Sequence, residues 1–147
     1  MNAAKRKIED TIMQMFDQAS EHLLKQNEKS IDEFGECTYR GMGGTKCAIG
    51  ALISDQYYSP DFKGHNVQRL EIRRAVLLSF GICMFFGETN ALSRIDKEHY
   101  GFRIRELLEQ LQFTHDCYEP DMWPDKLAAL KINLLKLRQM NAERKEA

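Results

Sequence analysis

No stretch of this chain stays apolar for long. Its longest uncharged run, AVLLSFGICMFFG from Ala75 to Gly87, is too short to span a bilayer and is interrupted by Gly81. The N-terminus, MNAAKRKIEDTIMQMF, has no apolar segment of the secretory kind and carries acids early. The expectation is a cytoplasmic protein without a membrane partner. Its four cysteines are then reduced thiols unless they hold a metal. An excess of one charge is also missing. The net charge is −1, which removes any global attraction to nucleic acid or anionic lipid but leaves room for a local patch. Repeats, low-complexity tracts and linker-like boundaries are absent, so residues 1–147 read as a single domain with a tail frayed from about residue 141.

What is there is helical periodicity. Ile8, Ile12, Met15, Ala19 and Leu23 recur on one face of a helix from Ala3 to about Lys25, widened by Phe16 and Leu24. HNVQRLEIRRAVLLSF gives a second long helix with Ile72, Ala75, Val76 and Ser79 on one face, and Leu70 and Leu77 needing cover. GICMFFGETN reads either as a short strand or as a buried continuation, with Cys83 in the core. Further on, Ile104, Leu107, Leu108, Leu111 and His115 align on a third helix whose start Gly101 should delay. Pro124 suits the first turn of a last helix, Asp125 to about Met140, with Leu127, Leu130, Leu134 and Leu137 facing the core or a partner. Between the first two helices, CTYRGMGGTKCAIGALISD predicts a glycine-bearing turn and then a short buried helix through Ala48, Ile49, Leu52 and Ile53. The fold class is therefore mainly α: about four main helices, one short helix and at most a small β-hairpin.

Five features are candidates for chemistry or binding. Backbone N–H groups of the glycine turn, supplemented by Arg40 and Lys46, could hold an anion, but the P-loop spacing is absent and a plain tight turn explains the glycines as well. Cys47, placed at a helix N-terminus where the dipole lowers a thiol pKa, could pair with His115 as base and Asp116 as orienter. Equally, Cys47 is a small core residue and His115 a hydrogen-bonded helix-end histidine. Cys37, Cys47, His115 and Cys117 are competent zinc ligands, yet C-x9-C and HDC are not zinc spacings, so neither metal nor cofactor is expected. Arg69 and Arg73, one helical turn apart, could form a nucleic-acid face, against which Glu71, Glu9 and Asp10 argue for solvated, salt-bridged surfaces. Aromatic residues in DFKG, YY and MFF are candidate partner anchors.

LLKQNEKS, then CTYRGMGGTKCAIGALISD with a following tyrosine (Tyr57 or Tyr58), then LLEQLQFTHD and Trp123, together resemble a family of small proteins from tailed phages and prophages. Its pattern runs C-x-Y-R-G…G-x-K-C-A-[IV]-G-x-L-I, with a later L-x-x-L-Q-x-x-H-D. The match covers about half the chain, and SFGICMFFGETN lies outside it. The resemblance implies a phage accessory protein in the host cytosol that binds a host or phage macromolecule, for example to inhibit a defence system or a host enzyme. It implies no catalytic residue. The turn residues Tyr39, Arg40 and Lys46, with Arg69 and Arg73, are the candidate contacts. A Cys/His-dependent enzyme or anionic-ligand sensor, and a nucleic-acid-binding protein, are the alternatives.

Overall fold

The computed structural model describes residues 1–82 and 92–144. Among them are four α-helices: α1 (Ala3–Gln26), α2 (Leu70–Ser79), α3 (Arg94–Cys117) and α4 (Trp123–Glu143). The segment joining α1 to α2 is a series of 3-10 turns. It carries two isolated antiparallel bridges, Ile31 with Cys37 and Arg40 with Lys46, and no strand forms among the described residues. The fold is thus mainly α. No helix among the described residues is long and apolar enough to cross a membrane. Cys83 and most of GICMFFGETN lie outside the described residues.

Local chemistry sets the helix ends. The Asn2 side chain accepts the Lys5 N–H at 2.9 Å at the start of α1, and Asn27 closes it in the left-handed conformation, its N–H on the Leu23 carbonyl at 2.8 Å. The Ile8–Leu23 stripe is buried as its spacing predicts. Leu24 is exposed, because it lies about 100° round the helix from Leu23. Ser93 caps α3 by accepting the Asp96 N–H, so the helix starts ahead of Gly101 instead of after it. A cap of that kind offsets the roughly 1 kcal/mol a glycine costs in a helix.

α2 is shorter than its periodicity suggests. Residues 65–69 turn back on themselves instead: Asn66 Oδ1 accepts the Gln68 N–H, and Leu70 stays exposed. The short helix expected after Cys47 is only a 3-10 turn, Gly50–Leu52. Gln18 Nε2 takes the Ala51 carbonyl at 2.9 Å, and just past the turn Arg40 Nη2 takes the Ile53 carbonyl at 3.2 Å. Tyr57, Tyr58 and Phe62, candidate anchors in the sequence, pack against the core.

The helical hairpin of α3 and α4 lies against α1, and the Gly50–Leu52 turn packs on α1 as well. One contiguous cluster of buried side chains joins all of these elements. Inside it sits a polar knot. Glu9, read from the sequence as part of a solvated face, is buried, and both its oxygens lie 2.6 Å from Arg103 Nη1. Asn141 Nδ2 donates to Glu9 Oε2 and to the Tyr100 hydroxyl, both at 2.6 Å. These bonds draw α4 inward past the expected fraying point and carry it to Glu143.

Candidate functional site

The glycine turn is built by packing. The Gly41 N–H donates to Thr45 O at 2.9 Å, and the Thr45 hydroxyl donates to Met42 O at 2.8 Å. A β-carbon on Gly41 would sit 2.6 Å from Ser30 Oγ, and one on Gly50 would sit 2.0 Å from the Tyr39 carbonyl oxygen. Both glycines are therefore demanded by close backbone approach. Two of the three residues expected on the turn, Tyr39 and Arg40, are turned inward. Tyr39 is buried, its hydroxyl donates to His65 O at 2.5 Å, and burial pushes its pKa up to about 12. Arg40 points back into the protein, with Nη1 2.9 Å from Asp55 Oδ1 and its guanidinium carbon 4.0 Å from the Tyr58 ring centroid. Lys46 is half-buried, and Gln26 holds both its backbone N–H and its carbonyl, each at 2.9 Å.

Cys47, Asp116 and Cys37 meet at one small cleft of about 240 Å³, together with Tyr39, His65 and Gln112. His115 lies behind that cleft, fully buried in the last turn of α3. Its Nε2 accepts the Ser30 backbone N–H at 2.9 Å, its Nδ1 lies 2.6 Å from Asp116 Oδ1, and its ring stacks on Trp123 at 5.5 Å. Because Nε2 is an acceptor, the proton sits on Nδ1 and is donated to Asp116. The Asp–His half of a triad is present. The nitrogen that would take a proton from a thiol is instead occupied in tying the 27–31 loop to α3.

The thiols follow the same logic. Cys47 does not start a helix. Burial pushes its pKa up to about 12, and its sulfur accepts the Gly50 N–H at 3.3 Å. Cys37 rises to about 11, through desolvation first and the Asp116 carboxylate second. Neither is an activated nucleophile. Iodoacetamide at pH 8 is expected to leave Cys47 unmodified in the native protein while labelling the exposed Cys117, as read by peptide mass spectrometry. Labelling of native Cys47 at the rate of Cys117 would contradict this assignment.

Of the four zinc-competent residues named from the sequence, the fold groups only two closely. Cys37 and His115 come together with Asp116, their donor atoms within 4.8 Å of one another, while Cys47 falls outside that set. The imidazole fits a cation poorly. Metal on Nδ1 would move the proton to Nε2, directly opposite the Ser30 N–H, placing two donors face to face. Sequence reasoning sets Cys37 beside His115 only as a candidate zinc ligand, and it misses Ser30 as a neighbour of that histidine. Ser30 is separated from it by 85 residues, and no local pattern announces the pairing.

The basic residues of α2 are committed in part. Arg69 reaches His65 Nε2 at 3.3 Å, and Arg73 Nη1 donates to the carbonyls of Val67 and Gln68 at 2.8 and 2.7 Å. Arg73 also edges a groove of about 490 Å³ between α2 and α3. Leu70, Leu77, Phe102 and Ile104 line it, and among the described residues its lining also carries Arg73, Arg94, Lys97 and Arg105 with one carboxylate, Glu98. The Arg94–Glu98 and Arg105–Glu109 pairs are exposed contacts between successive helical turns, worth about 0.3–0.5 kcal/mol each, so a partner's acids can displace them. With this geometry in hand, comparison with protein-family models, curated proteins and solved structures finds no match to the chain.

Proposed function

We propose that this chain is a non-enzymatic, phage-encoded accessory protein that acts by binding a host or phage protein. What supports this reading is the α2–α3 groove, whose lining among the described residues combines exposed apolar side chains with four cations and one carboxylate on a chain whose net charge is −1. Leu70 and Phe102 are exposed on its lining, and large apolar side chains left in solvent beside unbalanced charge are a mark of interaction surfaces. Its chemistry fits an amphipathic helix with acidic flanks, the apolar stripe against Phe102 and the acids against Lys97 and Arg105. Inhibition or redirection of a host enzyme is the kind of action such a contact would serve. The occupied nitrogen of His115 and the raised thiol pKa values weigh against the enzyme alternative.

The test is affinity capture from lysate of the phage host with the wild type and with Phe102→Asp. Phe102 is exposed, so the variant should retain the wild-type circular dichroism spectrum. A protein retained by the wild type, resistant to nuclease and lost with Phe102→Asp is the expected result. Equal capture by both, or capture abolished by nuclease, would overturn the proposal, the latter in favour of nucleic-acid binding.

A further inference from the structure

Gly101 stands inside α3, exposed on the wall of the α2–α3 groove. A glycine within a helix destabilises it relative to alanine, so its place asks for a reason. The fold supplies none. Gly101 does not adopt a positive φ, and a β-carbon built on it meets no atom of the described residues within 4 Å. Gly41 and Gly50 differ, because their β-carbons would collide with neighbouring backbone. What the missing side chain does at position 101 is leave a gap in the groove wall. Lys97, Gly101 and Arg105 follow one another at four-residue spacing on one face of α3, so the gap lies between two cations about 12 Å apart along the helix. Phe102 is exposed beside it, and Leu70 and Leu77 line the groove from α2.

The charges of the lining select what enters. Arg94 has Glu98 at 3.3 Å and Arg105 has Glu109 at 3.8 Å, both as exposed pairs between successive turns. Arg73 gives Nη1 to two backbone carbonyls, which leaves its charge uncancelled. Lys97 has no carboxylate partner among the described residues. The groove therefore favours carboxylates, and the gap between Lys97 and Arg105 favours a bulky side chain. An aromatic ring suits that gap best, since cations on either side of it can approach its faces.

We propose that Gly101 is the specificity-determining residue of the α2–α3 groove: it admits one large aromatic side chain from an acidic amphipathic helix, whose carboxylates, four positions to either side of the ring, meet Lys97 and Arg105. This deepens the protein-binding reading above and rests on it. The probe is a fluorescein-labelled, alanine-based helical peptide of about 17 residues with a central tryptophan, a glutamate four positions to either side and leucines beside the ring, followed by anisotropy. Wild type should bind it saturably. Replacing its tryptophan by alanine, or its glutamates by lysines, should weaken binding at least about tenfold. Gly101→Leu fills the gap and should also weaken the tryptophan peptide at least about tenfold, with the circular dichroism spectrum unchanged. Gly101→Ala should raise Tm by about 2–4 °C, which a glycine required by the fold would not allow. Binding lost with Phe102→Asp but kept with Gly101→Leu would overturn the role of Gly101 while leaving the proposed function standing. No saturable binding by wild type up to about 1 mM peptide, equal binding of the alanine or lysine peptide, or a lower Tm for Gly101→Ala would overturn the inference too, and lysate capture would still judge the wider reading separately.

Discussion

Replacing Arg103 by leucine is expected to cost about 3–5 kcal/mol of stability, because it strands the Glu9 carboxylate in the core. That carboxylate has no route to water. It is 1% exposed and enclosed by α1, α3 and α4, with Tyr100 and Asn141 as its remaining partners. The loss measures an uncompensated charge and not the worth of the pair, whose desolvation penalty offsets most of its attraction. Removing both charges in Glu9→Met/Arg103→Leu should therefore recover most of the stability. Urea unfolding with an unchanged slope is the measurement. A single variant within about 1 kcal/mol of wild type would show that water reaches the pair.

Trp123→Ala should cost a similar amount, about 3–5 kcal/mol, through the cavity left behind. The indole is fully buried at the start of α4, stacks on His115, and donates from Nε1 to the Tyr118 carbonyl at 3.0 Å. It thus holds both the α3–α4 corner and the histidine that ties the 27–31 loop to α3. Trp123→Phe keeps a ring against His115 but leaves the Tyr118 carbonyl without its donor, and about 1–2 kcal/mol is expected. Trp123 is the only tryptophan in the chain, so circular dichroism must follow both variants. Equal losses for alanine and phenylalanine would mean that the hydrogen bond, not the packing, dominates.

The helices were legible where a buried face repeats at helical spacing over several turns. Ile104, Leu107, Leu108, Leu111 and His115 all proved buried, as did the α1 stripe. The ends of elements were less legible. Gly101 reads as a helix breaker until Ser93 is seen capping the helix ahead of it. Cys47 reads as the start of a helix until the carbonyls of Ala51 and Ile53 are seen bonded to Gln18 and Arg40. In both places a side chain acting on the backbone overrode local propensity.

The candidate site divides the same way. Sequence alone determined the mainly α class, the helix faces, the glycine-bearing turn, and the adjacency of His115 to Asp116. Tertiary structure alone decided that Ser30 occupies the free nitrogen of that histidine, that Cys37 rather than Cys47 joins the histidine–aspartate pair, and that Arg40 turns inward. It also decided that Glu9 and Arg103, 94 residues apart, neutralise one another in the core. The physical reason is range. Periodicity and capping act within a few residues and leave a mark in the order of the chain. The state of a buried charge, thiol or imidazole is set by whichever distant groups the packed helices bring within hydrogen-bonding distance.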